Sequence, residues 1–132
     1  MKASILIALA IAAPLLGGCI SMMSEEDLRA ALVRPCENAR DSSPWLLADK
    51  WEDGDTYSPE TRFRPDGVMI YAYEGSTYDN GRWSLSGNQL HMDTNEHYAD
   101  YDGTFDGQQG SGGMKNQPGN KGTWVLTRAC KG

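Results

Sequence analysis

The segment from Trp45 to Arg128 constrains the fold most, because side chains of different character alternate along it and turn residues interrupt it at short intervals. Thr61 and Phe63 alternate with two arginines, and Pro65-Asp66-Gly67 then marks a turn to a second run that starts at Val68. A period of two residues is typical of β-strands, and short strands joined by tight turns form antiparallel sheets. Continued to the end of the segment, the pattern predicts about eight strands.

An antiparallel meander of this kind predicts an all-β fold, a small up-and-down barrel of about eight strands, with a β-sandwich of two sheets as the alternative. The first strand is expected around Leu46 to Glu52 and the last from Gly122 to Arg128. The weakest candidate is Gln108 to Met114, because its three glycines lower strand propensity.

Eight strands enclose a space that side chains fill or that holds one small ligand. We expect five large side chains to point inward and to fill the barrel, so that the protein acts through its outer surface or rim. They are Phe63, Trp83, Leu85, Trp124 and Leu126.

The first residues have the organisation of an export signal. Lys2 precedes an uninterrupted apolar run from Ile5 to Ala13, and Gly17-Gly18 places small residues before Cys19. An uncleaved membrane anchor is the alternative, although Pro14 and the two glycines interrupt the stretch before it reaches the roughly 20 residues that a spanning helix needs. The predicted organisation is a signal peptide over 1–18, a linker with a short helix over 19–44 and the barrel domain over 45–132.

The quartet Leu16-Gly17-Gly18-Cys19 resembles the lipobox of bacterial lipoproteins. The resemblance implies that Cys19 carries acyl chains such as palmitate and becomes the new N-terminus after cleavage. Because no Asp follows Cys19 directly, it also implies an outer-membrane lipoprotein with its domain in the periplasm. The membrane is then a partner through the lipid anchor.

Ser24 followed by three acidic residues is typical of a helix start, and Arg34-Pro35 of a helix end, so a helix of about eleven residues is expected between them. Cys36 and Cys130 remain once Cys19 is assigned to the lipid. An even pair in an exported chain predicts a disulfide, with two free thiols as the alternative.

Two motifs resemble those of bacterial lipocalin-like domains. The run from Gly81 to Leu90 is similar to their G-x-W-x-L-x-G-N-x-L hairpin, and the run from Gly119 to Arg128 is similar to their closing strand. The resemblance implies the barrel fold and says little about a ligand.

The formal charge of −6 argues against nucleic acid as a partner, because phosphate binding requires clusters of Lys and Arg. The sequence contains no Ser-His-Asp order, phosphate-binding Gly-rich loop or nucleophile elbow. We therefore expect no catalytic residues and no cofactor.

One group of residues has metal-ligand chemistry: His91 and Asp93 share a strand face, and Glu96 and His97 follow across the expected turn. A metal-binding protein or metal-dependent enzyme using His91 and His97 is therefore an alternative function. Solvent-facing polar residues beside a turn are the structural alternative. The acids from Asp100 to Asp106 fail the calcium-loop pattern.

Tyrosines gather around the middle hairpins, and Tyr71, Tyr73, Tyr98 and Tyr101 are candidates for a binding surface. If Val68 and Ile70 face inward, Tyr71 and Tyr73 face outward. Such a band suits protein or glycan contact, but ordinary cross-strand aromatic pairing is the favoured explanation. The leading hypothesis is a membrane-anchored, non-catalytic binding module for a protein or envelope component, and a carrier of a small apolar ligand is a further alternative.

Overall fold

The computed structural model of the protein describes residues 23–37 and 43–130. The predicted signal peptide over 1–18 and the predicted lipidation site Cys19 lie outside the described residues. Within the described ranges, no helix combines the length and the hydropathy that crossing a membrane requires. The elements are α1 (Glu25–Val33), β1 (Trp45–Trp51), β2 (Thr56–Tyr57), β3 (Glu60–Phe63), β4 (Val68–Tyr73), β5 (Ser76–Ser86), β6 (Gln89–Thr94), β7 (Ala99–Phe105), β8 (Gln109–Asn116) and β9 (Lys121–Arg128).

The strands close into an antiparallel barrel. From β3 to β9 each strand pairs with the next, and β1 closes the ring by pairing with β9 from Trp45↔Arg128 to Trp51↔Gly122. Both β2 and β3 pair with the other edge of β1, and the Ser58-Pro59 step separates them because proline has no N–H for the ladder. They count as one interrupted barrel strand, so the predicted eight-stranded barrel with a short helix is confirmed.

Helix α1 covers one end of the barrel, which we call the closed end. Ser24 caps the helix by accepting a hydrogen bond from the Asp27 N–H, as the sequence predicts. Leu28 and Leu32 are fully buried against the barrel, and the Trp45 indole donates to the Leu32 carbonyl at 2.9 Å. The helix is therefore part of the core.

Four aromatic rings fill the closed end beneath α1. Trp45 meets Phe63 and Phe105 edge to face, and Phe63 meets Trp83 in the same way, with centroids 5.5 to 6.4 Å apart. All five side chains predicted to point inward are buried. The predicted disulfide joins Cys36 to Cys130 at this end, with Cα atoms 5.4 Å apart, and is confirmed.

The Gly-rich segment forms a full strand, β8. Its glycines make room for the Trp124 ring, since a Cβ on Gly103 of the neighbouring strand would lie 2.7 Å from that ring and a Cβ on Gly110 3.3 Å from it. The Trp124 indole in turn donates to the Gly113 carbonyl at 2.9 Å. Because Gly103 and Gly110 have no side chains, the Trp124 ring fits into the barrel interior beside them.

Two sequence expectations are wrong. On β4 the inward residues are Met69, fully buried, and Tyr71, whereas Val68 and Ile70 occupy the other face. The barrel interior is filled only at the closed end, and a cavity occupies the opposite end.

Candidate functional site

The end of the barrel opposite α1 is an open cavity of about 540 Å³, which we call the cup. Its mouth is formed by the loops after β1, β4, β6 and β8. Its lining residues are Leu47, Asp49, Trp51, Asp53, Asp55, Tyr57, Pro59, Met69, Tyr71, Tyr73, Tyr78, Asn80, Thr94, Asn95, Tyr98, Ala99, Tyr101, Asn116 and Asn120. A cavity of this volume has the size of a small-molecule site.

Every tyrosine of the protein lines the cup. Tyr101 is buried and Tyr71 half-buried, while the four others are exposed around the mouth. Tyr71 stacks on Tyr78 with centroids 5.7 Å apart, and Tyr57 contacts Tyr73 at 5.8 Å. The wall of the cup therefore presents aromatic faces and edges from its depth to its rim.

Asp49 is a carboxylic acid in the interior of the barrel. It follows Trp45 and Leu47 at the alternate, inward positions of β1, and only 6% of its surface is exposed. The Tyr101 hydroxyl donates to its Oδ2 at 3.3 Å, and its Oδ1 has no hydrogen-bond partner among the described residues. Burial raises the pKa of Asp49 to about 7, and the hydrogen bond from Tyr101 opposes part of that rise.

Tyr101 keeps its proton in this setting. Burial and the neighbouring Asp49 carboxyl both raise the pKa of the Tyr101 phenol above its ordinary value. The hydroxyl thus stays protonated throughout the physiological range and donates to Asp49 Oδ2, so Asp49 Oδ1 is the atom of the pair that is left open to the cup.

The rim of the cup is polar and acidic. Asp53 accepts a hydrogen bond from the Asn120 amide at 2.8 Å, and the Tyr71 hydroxyl donates to the Asn80 side-chain oxygen at 2.6 Å. The lining includes three aspartates, Asp49, Asp53 and Asp55, and no Lys, Arg or His among the described residues. The charged groups of the cup are therefore all acids.

The cup brings together all four tyrosines that the sequence singled out, Tyr71, Tyr73, Tyr98 and Tyr101. Their location differs from the expectation for β4, because Tyr71 and Tyr73 face the interior and not the outer surface. The expected cross-strand pairing is present, since Tyr71 and Tyr78 are register partners. Sequence reasoning missed Asp49, although it is the one acid at the inward positions of the W-L-L-A-D-K-W strand.

A second group of functional side chains lies on the outer wall, which we call the His–Asp cluster: His91, Asp93, His97 and Asp100. One ligand atom from each lies within 4.8 Å of all the others. The sequence predicted His91, Asp93 and His97 correctly as neighbours. Asp100 takes the place expected for Glu96, because β6 and β7 pair in a register that sets Asp93 opposite Asp100.

His97 is held over the sheet by an unusual turn. Asn95, Glu96 and His97 all have positive φ, between 51° and 66°, which costs free energy in non-glycine residues. The hydrogen bond to Asp100 and the nearby Asp93 charge raise the pKa of His97. Electrostatic attraction to the two carboxylates thus offsets part of the cost of the turn.

No protein-family model matches the sequence, and no curated protein matches it.

Proposed function

We propose that the protein is a membrane-anchored, non-catalytic binding module whose site is the cup and whose ligand is a small organic cation of the cell envelope. The observation that carries this proposal is Asp49, a buried carboxyl with an open oxygen at an inward position of a tyrosine-lined cavity. A buried acid without a full set of partners is costly for folding, and a cationic ligand would supply the missing partner.

The chemistry of the wall supports a cation over an anion or a neutral apolar molecule. Aromatic faces attract ammonium groups through their quadrupoles, most strongly where water is excluded. The acids Asp53 and Asp55 at the mouth add attraction of the same sign, and the chain as a whole carries −6. An apolar carrier would not need these charges, and an anion would meet three carboxylates.

The proposed anchor leaves the cup accessible. Met23 lies beside Gly107 in the β7–β8 turn at the closed end. Four residues, extended, reach at most about 14 Å, so a lipid on Cys19 would hold the closed end near the bilayer. The cup at the opposite end would then open away from the membrane into the periplasm.

A matched ligand pair tests the cation. We expect 2-phenylethylamine to quench or shift the fluorescence of Trp51 in the cup at pH 8, and to bind at least about tenfold more tightly than neutral 2-phenylethanol. Asp49→Asn keeps the shape and removes the charge, so it should remove most of the preference for the amine and leave only the weaker attraction of the rings and the mouth acids. Glu26→Gln, the same charge change on the exposed face of α1, should leave both affinities unchanged.

Three results would contradict the proposal: equal binding of amine and alcohol, tighter binding of phenylacetate, or a preference for the amine that is as large in Asp49→Asn as in the wild type. Native mass spectrometry of the purified protein provides an independent test of which class of ligand the cup retains. A retained cationic adduct would support the proposal, and a retained neutral lipid would favour the apolar carrier instead.

The anchor is tested separately. Cells fed a palmitate analogue should label the wild-type protein and not Cys19→Ser, and the variant should leave the membrane fraction. Labelling that persists in Cys19→Ser would contradict the lipid anchor on Cys19 and would leave the proposed role of the cup unaffected.

A further inference from the structure

We propose that the His–Asp cluster on the outer wall binds one divalent transition-metal ion of the Zn²⁺ class, through His91 Nε2, Asp93 Oδ2, His97 Nδ1 and Asp100 Oδ1. This site is separate from the cup and does not depend on its function. Two nitrogens and two carboxylate oxygens form a ligand set that Zn²⁺ accepts.

Four of the six distances between the ligand atoms fit a tetrahedral site. Ligands about 2.0 to 2.1 Å from a zinc ion at tetrahedral angles lie about 3.3 to 3.4 Å from one another. His91 Nε2 lies 3.4 Å from Asp93 Oδ2 and 3.8 Å from Asp100 Oδ1, and His97 Nδ1 lies 3.7 Å and 3.0 Å from the same two oxygens. These four of the six edges scatter around the required length, and the two remaining atom pairs, His91–His97 and Asp93–Asp100, lie within 4.8 Å. Side-chain movements that bring those two pairs to the tetrahedral distance would complete the site.

One of the proposed ligands, His91, also has a carboxylate hydrogen-bonded to the ring nitrogen that would not bind the metal. His91 Nδ1 hydrogen-bonds to Asp102 Oδ1 at 2.7 Å, and Asp102 is its register partner on β7. With Nδ1 as the donor, the lone pair of Nε2 points to the cluster, as in the carboxylate–histidine arrangement that orients metal-binding imidazoles. Asp102 is therefore a positioning residue, and it binds no metal itself.

The charges in the cluster favour a divalent cation. The Asp93 side chain is only 5% exposed and lies opposite Asp100, and like charges in opposed positions destabilise a sheet. Arg82, the register partner of Asp93 on β5, donates to the Gly81 and Asp79 carbonyls. Two carboxylates with two neutral imidazoles carry −2, which a divalent ion neutralises.

A metal ion at this site would stabilise the strained β6–β7 turn. Its ligands come from β6, from the turn of left-handed residues that ends at His97, and from β7. Four protein ligands fill a tetrahedral shell, which is the arrangement of structural and not of catalytic zinc. The ion would thus hold the β6–β7 turn against the barrel wall.

Zinc chloride titrated into the purified full-length protein by calorimetry tests the proposal. We expect one equivalent to bind with a dissociation constant below about 1 µM, and Co²⁺ to give the intense visible bands of tetrahedral coordination. His91→Gln and His97→Gln should each weaken binding at least about a hundredfold, and Asp102→Asn by about ten- to a hundredfold. Circular dichroism checks that each variant remains folded.

Glu96→Gln is the matched control, because Glu96 lies in the same turn and outside the cluster. Its zinc affinity should stay within about twofold of the wild type. The proposal is overturned if the wild type binds no tighter than about 100 µM, if the histidine variants bind as the wild type does, or if Glu96→Gln loses as much affinity as they do.

Discussion

The two ends of the barrel differ in their predominant aromatic residues, although the same strands run through both and Trp51 also lines the open end. The closed end holds tryptophan and phenylalanine rings packed edge to face beneath α1, whereas the open end holds all six tyrosines around a cavity. Trp and Phe bury apolar area without requiring many polar partners, and Tyr combines an apolar ring with a hydroxyl that needs one. The choice of ring thus separates a packed core from a binding surface.

The turns at the two ends also differ, in the type of residue that has positive φ. At the closed end, the residues with positive φ are glycines, at positions 67, 87 and 107. Within the described part of the chain, all four non-glycine residues with positive φ lie in open-end loops: Glu74, Asn95, Glu96 and His97. Left-handed backbone in such residues costs free energy and concentrates at functional sites. The closed end therefore supplies stability, and the open end retains the strain of its left-handed residues.

The largest effect is expected from the disulfide of the closed end. It links residues 94 positions apart, and the chain-entropy model assigns such a loop about 4 to 5 kcal/mol. Replacing both Cys36 and Cys130 by Ser should lower the free energy of unfolding by about that amount, measured in guanidinium chloride. A loss below about 1 kcal/mol would show that the strands and α1 alone hold this end together.

Trp45→Ala tests the packing of the closed end directly. It removes a buried ring together with its hydrogen bond to α1, and we expect a loss of about 3 to 5 kcal/mol in the free energy of unfolding. Tyr98→Ala, at the exposed rim of the cup, should cost less than about 1 kcal/mol. Equal losses in the two variants would contradict the division between the ends.

Asp49→Asn should stabilise the protein at high pH. The pKa of Asp49 is about 7 in the folded protein against 3.8 as its ordinary value, so the folded state binds the extra proton between these pH values. The cost of the buried charge is absent below about pH 4, grows as pH rises, and is complete above about pH 7. The variant should gain about 2 to 4 kcal/mol in urea unfolding at pH 8 and almost nothing at pH 4, because each pKa unit is worth about 1.4 kcal/mol.

Glu26→Gln is the control for this measurement, because Glu26 is exposed on α1 at the closed end. The free energy of unfolding of Glu26→Gln should differ little from that of the wild type at pH 8 and at pH 4. A gain in Asp49→Asn that does not depend on pH would indicate that the amide packs better than the carboxyl, without a buried charge being involved.

The same titration should control cation binding in the cup. A cation prefers the ionised carboxylate, so its affinity should be constant above about pH 8 and fall about tenfold per pH unit well below 7. Fluorescence titration of the amine between pH 5 and 9 measures this profile. A flat profile in the wild type would mean that Asp49 does not contact the ligand.

The closed end could be predicted from the sequence because its signals are local. Ser24 and its acidic neighbours mark the start of α1, and Trp83 alternates with the polar residues Arg82 and Ser84. The disulfide could be predicted from an even cysteine pair in a chain for which the sequence predicts an export signal. Each of these inferences depends on residue type or on spacing within a few positions.

The inward face of β4 was misassigned because Val68 to Tyr73 is apolar on both faces, so the period of two does not choose between them. The length of the β3–β4 loop determines which face of β4 points inward. Pro65-Asp66-Gly67 is a three-residue loop with Gly67 at positive φ, which sets Phe63 opposite Met69. A slip of one residue turns every side chain over, and the turn chemistry was the signal that could have fixed the register.

The site depended on contacts that are distant in sequence. Asp49 meets Tyr101 across 52 positions, and no local pattern connects them. The His–Asp cluster was partly predictable, because His91 and Asp93 alternate on one strand. Asp100 joins them only through the register of β6 with β7, which the sequence did not determine.

The smallest effect concerns the β4–β5 turn at the open end. Glu74 and Gly75 form its two-residue loop, with φ of 48° and 80°, a conformation in which Asn is favoured at the first position. Glu74→Asn should therefore raise the free energy of unfolding by about 0.5 kcal/mol. Because the substitution also removes an acidic group beside Tyr73 at the mouth, amine affinity should fall only slightly, by about twofold or less. A loss of amine affinity of about tenfold or more in Glu74→Asn would mean instead that the left-handed Glu74 positions Tyr73 at the mouth of the cup, so that strain at the open end serves the ligand.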